Sequence, residues 1–131
     1  MTELLSPVDV EQAVIDELTE VLPIGTGIPE PKPIVFARVT SVGGVPETIV
    51  SDAFTISLEV YALKESAASQ AASEVLARLT LAPINGKLGG VPCYRVGVMA
   101  LPQNFPDPTV PGYHRYTMTL VPVLRRRVTH L

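Results

Sequence analysis

One cysteine, two histidines and a thin supply of charge set the first limits on this chain. The lone cysteine, Cys93, excludes an intrachain disulfide and any zinc site built from several cysteines. It fits a reducing compartment. Charged residues make up 18% of the sequence, below the ~25% usual in globular proteins. The formal net charge of −3 excludes a chain that is basic throughout and binds nucleic acid on that basis. Long apolar runs are also missing. The longest stretch without a charged residue, Val96 to Pro106, is broken by Gly97 and Pro102 and falls short of the ~20 apolar residues of a membrane-spanning helix. The opening MTELLSPVDVEQ has no basic stretch followed by an apolar core, so no secretory signal is expected.

What is present points to one folded unit. The chain has 131 residues, 47% of them apolar. That is the size of one domain, at about 100–200 residues each, with enough apolar side chains for a core and too many for intrinsic disorder. Thirteen prolines and nine glycines argue against a helical bundle, and their scatter argues against collagen.

Local patterns give an α-β-β-α-β-β order. Ser6 and Pro7 suit the start of a first helix, with Ser6 as cap and Asp9 three residues on. Val10, Val14, Leu18, Val21 and Leu22 form its apolar stripe, and Pro23 with Gly25 ends it. Residues 23–33, PIGTGIPEPKP, form a stiff connection. Ile34–Ser41 reads as a strand, Gly43-Gly44 as a turn and 45–53 as a loop. Phe54–Tyr61 alternates, which places Phe54, Ile56, Leu58 and Val60 toward the core. An alanine-rich helix is expected over Ser66–Leu81, stopped by Pro83. Val91–Leu101 is a third strand, 102–112 a proline-rich extended loop, and Tyr113–Arg127 a fourth strand in which Pro122 implies an edge or a bulge. The expected fold is α+β: a single domain over 1–131, with a mainly antiparallel four-stranded sheet and two helices on one face.

The residues offer little catalytic chemistry. Neither histidine has a serine or cysteine motif beside it. Cys93 reads as a small buried hydrophobe, and Arg95 is its only local cationic neighbour. No HExxH, acidic calcium loop, phosphate loop or dinucleotide fingerprint occurs. The sequence therefore predicts no enzyme, no cofactor and no metal. The one pocket worth weighing for a ligand would gather Cys93, Arg95 and His114.

Charge is more informative. Residues 1–74 hold twelve acids and three bases, a net of −9. Residues 75–131 hold one acid and seven bases, a net of +6. If the two halves surface on different sides, copies can meet head to tail and close into a ring. Arg125-Arg126-Arg127 is the sharpest local feature. It reads either as a contact to an acidic neighbour or to DNA phosphate, or as a solvated strand end that discourages aggregation.

Together these features resemble the tail terminator (tail completion) proteins of long-tailed bacteriophages. The resemblance rests on the acidic opening helix, then IVFARVTSVGG, then FTISLEVYALKESAASQAASEVLARL, and finally LPQNFPDPTVPGYHRYTMTLVPVLRR. It spans about residues 8–127 and is one of order and style, with no diagnostic residue. It implies a structural, non-catalytic virion protein, assembled in the host cytoplasm into a hexameric ring at the head-proximal end of the tail. The ring would cap the tail tube, end its polymerisation and offer the surface that docks to a head-completion or connector protein. DNA would pass through the lumen without sequence readout, and no membrane would be involved. The family supplies no motif to transfer residue by residue, so the expected interface set comes from charge and loop position: Glu11, Glu17, Phe105, Asp107, Arg115, Arg125, Arg126 and Arg127. The proline-rich stretches 23–33 and 102–112 are expected to reach neighbours. The alternatives are another neck component, a head-closure or connector adaptor, or a small ligand-binding α+β domain.

Overall fold

In the computed structural model, which describes residues 2–130, ten elements follow one another. They are β1 (Glu3–Ser6), α1 (Val10–Leu18), β2 (Ile24–Gly25), β3 (Val35–Pro46), β4 (Ser51–Ala62), α2 (Glu65–Asn85), β5 (Lys87–Leu88), β6 (Val91–Asn104), β7 (His114–Arg125) and β8 (Arg127–His130). The protein is a single α+β domain with two helices. The four long strands are antiparallel in the order β3-β4-β7-β6, and short β2 and β5 flank them. Because β2 pairs parallel to β3, the six-stranded sheet is mixed. The chain ends form a second sheet, with β1 antiparallel to β8.

The alternation of β4 positions the core. Ile56, Leu58 and Val60 are fully buried on one face, and Phe54 packs against their edge. Both helices deliver their apolar stripes to this face: Val10, Ala13, Val14 and Leu18 from α1, and Ala72, Val75, Leu79 and Ala82 from α2. Ala37, Val39, Met118, Leu120 and Leu124 complete the core from neighbouring strands. Small alanines let α2 lie close to the sheet, because their side chains leave the backbone room to approach. The opposite face has a core of its own. Phe36 stacks on Tyr61 with ring centroids 4.7 Å apart, and Val110, Ile28 and Tyr113 close over them.

Several expected boundaries differ. Ser6 is in β1 and does not cap α1. Asp9 does, accepting from the Gln12 amide at 3.0 Å, because its shorter spacing to the first free N–H groups suits the cap. Gly43-Gly44 is a bulge inside β3, not a turn: the β3–β4 register shifts between Ser41 and Gly44. Both glycines have positive φ, and a Cβ at Gly44 would collide with the Ala53 carbonyl. The expected loop 45–53 is thus mostly strand, with only 47–50 turning the chain. Pro83 does not stop α2. The helix runs to Asn85 and ends at Gly86, whose φ of 82° is left-handed. The third strand continues through Pro102 to Asn104, and the fourth breaks at Arg126. Pro122 lies in β7, an interior strand between β4 and β6. It pairs in register with Val96, so the expected edge or bulge at Pro122 does not occur; the nearest register shift of β6, between Cys93 and Arg95, lies opposite Leu124 and Val123.

Candidate interface

The charges expected to face neighbours are largely used within the chain. Four of the seven bases in the second half pair with acids of the first: Arg78 with Glu17 at 2.9 Å, Arg115 with Glu59 at 2.6 Å, Arg126 with Asp52 at 2.7 Å, and Arg95 with Glu47. The −9 and +6 halves therefore fold onto each other instead of emerging on separate sides. The reason lies in topology: β4, from the first half, pairs with β7, from the second.

Glu11 accepts from the Ser41 amide at 2.8 Å and ties α1 to β3. Glu17 accepts from Arg78 and from the Gly89 amide, both at 2.9 Å. Arg126 grips Asp52 through Nε and Nη2 in the forked geometry that suits a carboxylate. Arg125 and Arg127 are exposed and have no ion pair among the described residues. Arg127 donates to the Ser6 hydroxyl at 3.3 Å and shares a groove with Asp9 and Asp16 of its own α1.

A polar cluster on the second sheet face binds the proline-rich loop. Glu59, 8% exposed, accepts from Arg38 Nε at 3.0 Å and Nη2 at 2.9 Å, and from Arg115 Nη1. Tyr61 has one proton to donate and sits 2.9 Å from Asp107 Oδ2 and 3.1 Å from Glu59 Oε2. Burial, then the Asp107 hydrogen bond, push its phenol well above the ordinary range. The Thr109 hydroxyl and amide both donate to Asp107 Oδ1, at 2.7 and 2.9 Å, and hold that carboxyl down at about 2. Arg115 also donates from Nε to the Phe105 carbonyl at 2.7 Å, and its guanidinium lies 5.2 Å from the Phe105 ring centre. Among the described residues, no buried side-chain nitrogen or oxygen lacks a partner.

The proline-rich stretches, expected to reach neighbours, are each fastened at some points to their own sheet, while Phe105, Pro106, Pro108 and Thr109 stay exposed. Val110 is buried in the second core, Ile28 packs beside it, and the Tyr113 hydroxyl donates to the Pro33 carbonyl at 2.8 Å. Of the expected interface residues, Glu59's neighbours Arg115 and Asp107 meet in one cluster with the Phe105 backbone. Glu11, Glu17 and Arg126 stand in separate internal contacts.

The expected pocket of Cys93, Arg95 and His114 does not form. Cys93 is in register with Leu124 and His114 with Ala62, at opposite ends of β7; ten strand residues span ~33 Å. Burial pushes the Cys93 thiol up to about 11, which leaves it protonated. A cleft of about 290 Å³ opens between Pro7, Gly44, Pro46 and Phe54, but the charged groups beside it, Asp52 and Arg126, bond each other. No group of three or more metal-ligating side chains occurs among the described residues.

The surface the sequence reasoning missed is the outer edge of β6. β5 covers only Val91 and Pro92, so among the described residues no strand pairs with the edge beyond them. Val98, Met99 and Leu101 are exposed, the last two each at 66%, and the expected interface residue Phe105, just past the strand, is exposed beside them. This edge coincides with the charge-free stretch Val96–Pro106, whereas edge strands usually carry charges that prevent unwanted pairing. The signal was in the sequence, as an absence of charge. Its meaning depended on β6 being an edge.

No protein-family model matches this chain, and no curated protein matches it.

Proposed function

We propose that this chain is a structural virion protein that forms a ring capping a phage tail tube. Copies meet head to tail, six to a ring, at the head-proximal end of the tail. The ring ends tube polymerisation and presents a docking surface to a head-completion or connector protein, and DNA passes through the lumen without sequence readout. The observation that carries this reading is the open, charge-free β6 edge with its exposed apolar side chains. Such a surface calls for burial against a protein neighbour. The rest of the body supports it. Loops are stitched to the sheet by Glu59, Asp107 and Tyr113, which suits a rigid ring segment. The resemblance in element order to the tail terminators names the ring.

Electron microscopy of tail tubes mixed with the purified chain tests the proposal. The expected result is a ring at one end of each tube and an arrest of tube growth. Tubes that stay bare while the chain binds purified connectors would instead assign it to a head-closure or adaptor layer. Binding to neither would overturn the proposal.

A further inference from the structure

We infer that the β3–β4 arm of one copy adds as a strand to the open edge of β6 in the next copy, so that one sheet runs on from subunit to subunit. The inference rests on the ring reading above and specifies the contact that would build it.

Two unpaired strand edges exist on the same sheet. One is β6 beyond Cys93, whose amide donates to the Gly86 carbonyl at 3.0 Å. The other is the far part of β3. Short β2 occupies β3 only at Ala37 and Arg38, and the Glu11 carboxylate takes the Ser41 amide. From Val42 to Pro46 the outer side of β3 pairs with no strand among the described residues, while its inner side pairs with β4 within the sheet; this segment is the arm. Both edges need backbone partners or water.

The two edges match. Neither Val39–Pro46 nor Val96–Pro106 contains a charged residue. Both carry exposed apolar side chains: Val42 and Val45 on the arm, Val98, Met99 and Leu101 on β6. Directions also match. The four long strands alternate, so β3 and β6 run opposite to each other. Copies related by a rotation along the strand direction therefore bring β3 antiparallel to the neighbour's β6, and the contact is head to tail, the kind that closes into a ring.

Charge fits at one end. Antiparallel pairing carries the arm's Glu47 toward the Arg95 end of the neighbouring β6. Within one chain these two residues already form an ion pair, with Arg95 62% exposed. Exposed pairs of this kind hold little energy, so this one can be exchanged between copies. A two-fold pairing of β6 with β6 would leave the arm's Val42 and Val45 uncovered.

The test mixes two differently tagged chains, Val45→Cys and Met99→Cys, with a short bismaleimide. Cys93 is buried, and the unsubstituted chain serves as the labelling blank. The expected product is a covalent pair containing one chain of each kind. In parallel, Met99→Lys with Leu101→Lys should raise the concentration needed for self-association by about tenfold or more, with the thermal transition of the single chain preserved because both positions are exposed. A ring of unchanged strength in the lysine variant, with no mixed product, would overturn this contact and leave the ring reading standing. Met99→Cys homodimers with no mixed product would overturn this contact, and a chain that stays monomeric at every concentration and leaves tail tubes bare would overturn both. A mixed product in open filaments would uphold the contact and overturn the ring.

Discussion

At the scale of single residues, Glu59 sets the character of the second sheet face. Two arginines converge on its carboxylate, and neither has another acid as close. Removing one partner of a buried ion pair leaves the other charge desolvated and unpaired. Glu59→Ala should therefore cost about 3 kcal/mol of stability, read as a lowered denaturation midpoint in urea. Asp107 adds a pH dependence. Its folded-state pKa, about 2, lies below the ~3.9 of an unfolded aspartate, so its contribution is present above pH ~4 and fades as pH falls toward 2. Asp107→Asn should flatten that acid limb; an acid titration of stability for both chains that superimposes would refute the latch. Asp107 was legible as a candidate because it is the only acid in the second half. Its partner Tyr61 was not, since a tyrosine at a strand end carries no mark of what will fold over it.

At the scale of elements, local rules worked where a segment satisfies itself and failed where another segment intervenes. The β4 alternation and the α2 alanines gave their elements directly. Pro83 did not end α2, because proline disrupts the preceding turn without preventing a last turn that Gly86 closes. The turn after β5 shows how tightly elements meet. Gly89 has a φ of 53°, and a Cβ there would run into the Ala13 carbonyl of α1. Its amide is also held by Glu17. Gly89→Ala should destabilise by at least about 2 kcal/mol, whereas Gly86→Ala, which meets open space, should lose only the left-handed backbone term, about 1 kcal/mol. Equal thermal shifts in the two variants would refute this account.

At the scale of the whole molecule, the division of charge between halves became an internal seam. Arg126 belongs to that seam through Asp52, so reversing it would damage the subunit before testing any contact. Arg125 and Arg127 are the better probes. Arg125→Glu with Arg127→Glu should change subunit stability by less than about 1 kcal/mol. If these arginines face an acidic neighbour, the same pair should weaken self-association more at low salt than at high salt. Light scattering that shows no change at either ionic strength would remove them from the interface.

By itself the sequence determined the α+β class, the four long strands, both helices and the core face of β4. These follow from periodicity, a property of consecutive residues that needs no partner to be read. It also determined that Val96–Pro106 carries no charge. Only the tertiary structure decided that β7 is interior and β6 an edge, that four arginines of the second half meet acids of the first, and that the proline-rich loop lies on its own sheet. Each of those depends on which strands become neighbours, and strand pairing is fixed by contacts between residues far apart in the chain. The charge-free stretch that at first was only too short and too broken for a membrane span thus became, once β6 was an edge, the basis for proposing a subunit contact.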